Sequence, residues 1–155
     1  MAKVFILDGH CSAALAFVRS LGRAGHTVIV GAEDNFFSSA SYSRYCWKSF
    51  FYPSAAESTE KFLAAIQEIV NQEEIDAIFP MTDLTVWPLS FYRKRFLPKK
   101  IAIPSHESVE LVSDKFRTIQ LAEKLGIPVP ETFLVKSRED IPNVLNSEWE
   151  YPVVI

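Results

Sequence analysis

The sequence predicts an α/β protein built on an open, mainly parallel sheet with helices on both faces. Three observations carry that expectation. Short apolar runs are closed by turn residues, longer stretches repeat apolar residues every three to four positions, and the two kinds of stretch alternate. At 155 residues the chain fits one ordinary domain with a small appendage. Folding at that length buries roughly 68–70% of the unfolded surface, enough for a real core.

The elements follow in order. "KVFILD" (3–8) is an apolar run closed by Asp and followed by Gly9, which suits a buried parallel strand. From Ser12 the period changes: Ala14, Phe17, Val18, Leu21 and Ala24 share a helix face, with Ser12 as N-cap and Gly25 as stop. "TVIVG" (27–31) is a second buried strand, completing a strand–helix–strand crossover. Residues 32–47 read as loop, and "SFFYP" (49–53) as a third strand. In 57–73 the residues Phe62, Leu63, Ile66, Ile69 and Val70 form one stripe, the clearest helix of the chain. "DAIFP" (76–80) is a fourth strand. A helix then starts between Asp83 and Trp87 and runs to about Arg95, with Pro88 tolerated only in its first turn. "IAIP" (101–104) is a short fifth strand. Thereafter the alternation changes, with two consecutive helices (105–112 and 113–126), the second capped by Ser113 or Asp114 and ended by Gly126. A strand at 131–135, a short helix at 138–146 and a strand at "YPVVI" (151–155) complete the reading. The predicted domains are 1–112 and 113–155, the second cut short. No internal repeat is apparent.

Composition removes several classes. A net charge of −3 and a pI near 5.6 give no bulk attraction to nucleic acid or anionic membrane. The run Arg93-Lys94-Arg95, with Lys99 and Lys100, reads as a solvated helix end. The two cysteines, Cys11 and Cys46, have no zinc-type spacing, no signal sequence follows Met1, and no apolar stretch approaches the ~20 residues that span a bilayer. A cytoplasmic protein is expected. The aromatic stretch Phe36-Phe37, Tyr42, Tyr45, Trp47 and Phe50-Phe51-Tyr52 lacks basic interleaving, so core and loop packing is preferred over base stacking.

Ligands of open parallel sheets bind outside the carboxyl ends of the strands, where strand order reverses. Two such ends are polar here: Asp8-Gly9-His10 and Thr82-Asp83. Gly9 admits close approach of a ligand, and the following helix N-terminus offers free N–H groups to an anion. Neither G-x-G-x-x-G nor G-x-x-x-x-G-K-[ST] is present. His10 beside Cys11 is read as a turn residue next to a buried thiol, because adjacent side chains rarely converge on one atom. No residue is assigned a catalytic or metal-ligating role.

Three segments together resemble the start of an ATP-grasp ligase, the superfamily of biotin carboxylase and the carbamoyl phosphate synthase large chain. They are "DGHCSAALAFVRSLGRAGHTVIVG", "DAIFPMTD" and "SDKFRTIQLAEKLGIPVPETFLV" with the later "YPVVI". The resemblance runs from residue 3 to the last residue. It implies a Rossmann-like pre-ATP-grasp domain over 1–112 and the beginning of the ATP-grasp domain from 113. It further implies ATP and Mg²⁺ in a longer parent enzyme, and a carboxylate activated as an acyl phosphate for transfer to an amine or similar nucleophile. Lys115 matches the family's first nucleotide lysine; on its own it reads as a solvated lysine in a first helical turn, awkward beside the positive dipole end. Asp8, Gly9, His10, Thr82 and Asp83 would help hold the substrate. A second phosphate lysine, the glycine-rich loop and the Mg²⁺ carboxylates of the family are not matched within the sequence. The chain as given is therefore expected to be inactive, without tightly bound ATP. The apolar edge of "YPVVI" invites pairing with a second copy and leaves room for a homodimer. The competing reading is a free-standing α/β module that binds a small ligand or partner without catalysis. A Rossmann dehydrogenase is disfavoured by the missing glycine fingerprint.

Overall fold

The computed structural model describes residues 1–34 and 36–145. By contact density it divides into two compact units, Met1–Glu110 and Leu111–Ile155. The first unit carries a five-stranded sheet in the order β3-β2-β1-β4-β5, every neighbouring pair parallel. Its strands are β1 (Lys3–Ile6), β2 (Thr27–Glu33), β3 (Cys46–Tyr52), β4 (Ala77–Phe79) and β5 (Lys100–Ile101). β1 lies at the centre, paired to β2 from Lys3↔Thr27 to Ile6↔Val30 and to β4 from Val4↔Ala77 to Ile6↔Phe79. The chain winds outward through β2 and β3, then returns to the other side of β1 for β4. The order thus reverses beside β1.

Apolar side chains of β1 and β2 alternate between the two faces, as strand geometry requires. Val4, Ile6, Val28 and Val30 pack with Ala14 and Val18 of α1 (Ser12–Arg23). Phe5, Leu7 and Ile29 pack on the opposite face with Phe62, Leu63, Ile66, Ile69 and Val70 of α2 (Thr59–Gln72), and with Leu89 of α3 (Asp83–Phe91). Helices therefore cover both faces, as the sequence predicts. Burying each large aliphatic or aromatic side chain is worth roughly 1.5–3 kcal/mol, so the α2 face, with five such residues from one helix, holds the larger core.

Several local expectations are corrected. Cys11, not Ser12, caps α1; its Sγ accepts from the Ala14 N–H at 3.4 Å. Pro88 lies past the first turn of α3, whose first residue is Asp83, so the ring removes one ladder bond from a helix that ends at Phe91. The basic run is not a solvated helix end. Its residues form a 3₁₀ turn (Arg93–Phe96), where Arg93 donates to the carbonyls of Ile103 and Pro104 and Arg95 grips Glu60 with two nitrogens. Many aromatics of 36–52 are solvent-facing: Phe37 is 73%, Tyr42 79% and Trp47 60% exposed, and only Tyr52 is core.

α4 (His106–Ser113) crosses the division between the units. In the second unit, α5 (Lys115–Lys124) starts at an Asp114 cap whose carboxylate accepts from the Arg117 N–H at 3.0 Å, and ends before Gly126 at φ 71°. None of its residues is buried. Residues 131–135 do not form the expected strand; their strand propensity is not realised, since ladder bonds come only from a neighbouring strand and the sheet ends at β3 and β5. α6 (Ile141–Leu145) follows a capping box in which Ser137 and Asp140 satisfy each other's backbone. Backbone N–H groups of Lys136 and Ser137 hold the Asp140 carboxyl below its usual range. The expected strand 151–155 lies outside the described residues. No described helix is long and apolar enough to cross a membrane.

Candidate functional site

The reversal beside β1 places the loops after β1 and β4 next to each other, and one residue ties them. Asp8 is only 2% exposed and adopts φ 57°, a left-handed conformation that Asp tolerates better than most residues. Its Oδ2 accepts from the N–H groups of Met81 and Thr82, both at 2.9 Å, and from Thr85 Oγ1 at 2.6 Å. Its Oδ1 accepts from Tyr52 Oη at 3.0 Å, and Tyr52 Oη accepts in turn from the Asp8 N–H at 2.9 Å. One buried carboxylate thus joins the ends of β1, β3 and β4 to the first turn of α3. Burial first, and then the Asp8 charge, push the Tyr52 phenol far above its ordinary pKa, so Tyr52 stays a donor.

Gly9 is also buried, for a packing reason. A Cβ there would lie 2.3 Å from Ser38 Oγ and 2.7 Å from Val30 Cγ1. Its N–H donates to Gly31 O at 2.9 Å, and its carbonyl accepts from Ala40 N at 3.0 Å. His10 is half-buried and rests on Phe36, with ring centroids 5.0 Å apart. Its Nδ1 is buried and has no hydrogen-bond partner among the described residues, so no His10–Cys11 dyad forms through that atom. Cys11 is partly exposed rather than a buried thiol. Thr82 precedes α3 with no side-chain capping bond, and Asp83 is exposed at the first helical position. Lys115, in the second unit, is exposed at the first position of α5.

The structure therefore joins Asp8 to the loop of Thr82, but turns the Asp8 carboxylate inward, toward protein donors. Tyr52 and Thr85 complete this knot and were not singled out from sequence; neither has a motif around it. Beside the knot, at the same edge of the sheet, a groove of about 430 Å³ opens between the loop before α2 and the outer side of α3. Asp83, Trp87, Phe91 and Tyr92 line one side, with Ala55 and Thr59 opposite.

No family model matches the chain, and no curated protein matches it. Solved structures do. A biotin carboxylase–beta-gamma-ATP complex from Campylobacter jejuni matches with a TM-score of 0.60 and 25% identity, over 83% of this chain and 29% of that one. Glycinamide-RNase-transformylase T from Mycobacterium tuberculosis matches with a TM-score of 0.60 and 18% identity, over 82% and 36%. Its fold is that of the N-terminal domain of biotin carboxylase-like ATP-grasp enzymes. A third such structure is the biotin carboxylase domain dimer of Hydrogenobacter thermophilus 2-oxoglutarate carboxylase, in complex with MgADP, ADP and bicarbonate. It matches with a TM-score of 0.61 and 15% identity, over 92% of this chain and 32% of that one. The chain thus spans about a third of these biotin carboxylase-like proteins.

Proposed function

We propose that this chain is the N-terminal portion of an ATP-dependent ligase, one that activates a carboxylate as an acyl phosphate and transfers the acyl group to an amine or similar nucleophile. The observation that carries this reading is the parallel sheet reversing beside β1, with both adjoining loops polar and locked together, in a fold whose solved neighbours are ATP-dependent carboxylases and ligases. In this reading residues 1–112 form the pre-ATP-grasp domain and 113–155 begin the ATP-grasp domain. His10, Thr82 and Asp83 face the substrate, with the unengaged His10 Nδ1 as one hydrogen-bonding atom, while the buried Asp8 and Gly9 fix and shape the loops that carry them. Two unpaired thiols, Cys11 and Cys46, fit the reducing cytoplasm.

ATP and Mg²⁺ belong to the parent enzyme in this reading. Among the described residues no group of three His, Cys, Asp or Glu is placed to hold a metal ion. Lys115 is a single exposed cation, and one exposed ion pair contributes about 0–1 kcal/mol. No chemical step is assigned through either group. The chain alone is inactive and binds ATP more weakly than ~1 mM, because one contact does not offset the cost of association. Calorimetry on residues 1–155 checks this, and a micromolar Kd contradicts it. In an enzyme that carries this chain at its N-terminus, Lys115→Ala raises the KM for ATP several-fold; an unchanged KM removes the role assigned to Lys115.

A further inference from the structure

We propose that the groove beside α3 is a binding site for an organic ammonium ion, an amine carrying an apolar or aromatic body. The α3 helix is apolar around most of its circumference. Leu89 and Pro88 face the core, while Leu84, Trp87 and Phe91 on the outer side remain 56%, 42% and 60% exposed. A helix apolar on all sides normally has something against both faces, and here His106 covers only part of the outer one, edge-on to Trp87 and Phe91 with ring centroids 5.1 and 5.0 Å away. Here the outer face is one wall of a concave space of about 430 Å³, within the size range of small-molecule sites. The opposite wall is formed by the small side chains of Ala55, Ala56 and Thr59.

Among the described residues, Asp83 is the one charged residue lining this space. Its carboxylate is exposed and has no hydrogen-bond or ion-pair partner among the described residues. The basic residues that follow α3 do not compensate it: Arg93 is held by the carbonyls of Ile103 and Pro104, and Arg95 by Glu60 and Gln67. An unpaired carboxylate at the head of a wall of Trp87, Phe91 and Tyr92 is complementary to a cation whose body stacks on rings; aromatic faces attract ammonium groups as well as apolar surface. The groove lies at the carboxyl edge of the sheet, the side on which open α/β sheets hold ligands. Concavity and a single unpaired charge favour a small molecule over a second copy of the chain. This binding does not rest on the ligase reading.

The test is calorimetry on the 155-residue chain without ATP, using phenethylammonium, with 2-phenylethanol and 3-phenylpropionate as neutral and anionic controls. The ammonium should bind at least fivefold tighter than the alcohol, and the carboxylate should not bind measurably. Asp83→Asn should bring the ammonium down to the level of the alcohol while leaving the alcohol unchanged, and Trp87→Leu should weaken both. Equal affinity for cation and alcohol overturns the proposal, as does an Asp83→Asn variant that binds like the wild type. A chain that dimerises and becomes monomeric on Trp87→Leu, measured by sedimentation, also overturns it, because the groove would then be a self-contact. Absence of ATP from the assay keeps the outcomes separate: failure here leaves the ligase reading standing, and a parent without ATP-dependent activity leaves the amine site standing.

Discussion

Two aspartates at the same edge of the sheet, one after β1 and one after β4, have opposite fates. Asp8 is buried and surrounded by four donors from three segments of the chain. Asp83 is exposed and unpartnered among the described residues, at the head of an aromatic groove. A buried carboxylate is tolerated only when its lone pairs are met, and once they are met it is unavailable to a ligand. Asp8 is thus the centre of a closed structural knot, and Asp83 part of an open surface. An Asp at a strand end signals either, and what separates them is the direction of the side chain and the donors within reach.

The sharpest break in that comparison is to remove each carboxylate in turn. Asp8→Ala strips acceptors from the part-buried N–H groups of Met81 and Thr82 and from the buried hydroxyls of Tyr52 and Thr85. Each unsatisfied buried group costs about 1–3 kcal/mol, and local water relieves part of the total, so a loss of about 3–5 kcal/mol is expected. Asp83→Ala should stay within about 0.5 kcal/mol, as surface changes away from such features do. Urea unfolding of the two variants reads both values, and similar losses would erase the distinction.

Next in size is the packing of the closed loop. Gly9→Ala drives a methyl group to 2.3 Å from Ser38 Oγ and 2.7 Å from Val30 Cγ1, so both side chains must shift. Overpacking of this kind costs about 1–3 kcal/mol. Adding Ser38→Ala removes one of the two clashing atoms, so the double variant should be less destabilised than the sum of the singles. Strict additivity in the urea midpoints would show that Gly9 is required for some other reason.

The fold was legible because its strongest signals are local. Apolar runs ending in Asp8, Gly31 or Pro80, and the Phe62–Val70 stripe, state strand or helix without tertiary information. Gly25 and Gly126, at φ 84° and 71°, end their helices as glycine in that position should. Illegible features depend on partners distant in sequence. Residues 131–135 have strand propensity but no place in the sheet. The run of Arg93 to Arg95 reads as a solvated charge cluster until Glu60 and the carbonyls of Ile103 and Pro104 are brought to it. The site was half legible for the same reason. Asp8 and Thr82 were found as strand ends, but the tyrosine 44 residues away that completes the knot was not. The groove was missed because Trp87 and Phe91 look like core residues of an apolar helix.

Within the knot, Tyr52 gives the smallest loss and the clearest pH signature. Tyr52→Phe keeps the ring packed against Phe62 and removes only the hydroxyl that bridges the Asp8 N–H and Oδ1. A loss of about 1–2 kcal/mol at pH 7 is expected, as for other buried hydrogen bonds with one partner deleted. Above about pH 10 the unfolded tyrosine ionises, whereas the folded phenol, raised by burial and by the Asp8 charge, stays protonated. The native state then binds more protons than the unfolded state, so this group's stabilisation is full below pH 10 and declines above it, at a slope approaching about 1.4 kcal/mol per pH unit. Tyr52→Phe lacks that dependence. The wild-type advantage should therefore shrink, and then reverse, between pH 10 and 11.5. A constant gap across that range would mean that the phenol ionises as easily folded as unfolded, and that the loop after β1 is as open to water as the groove beside α3.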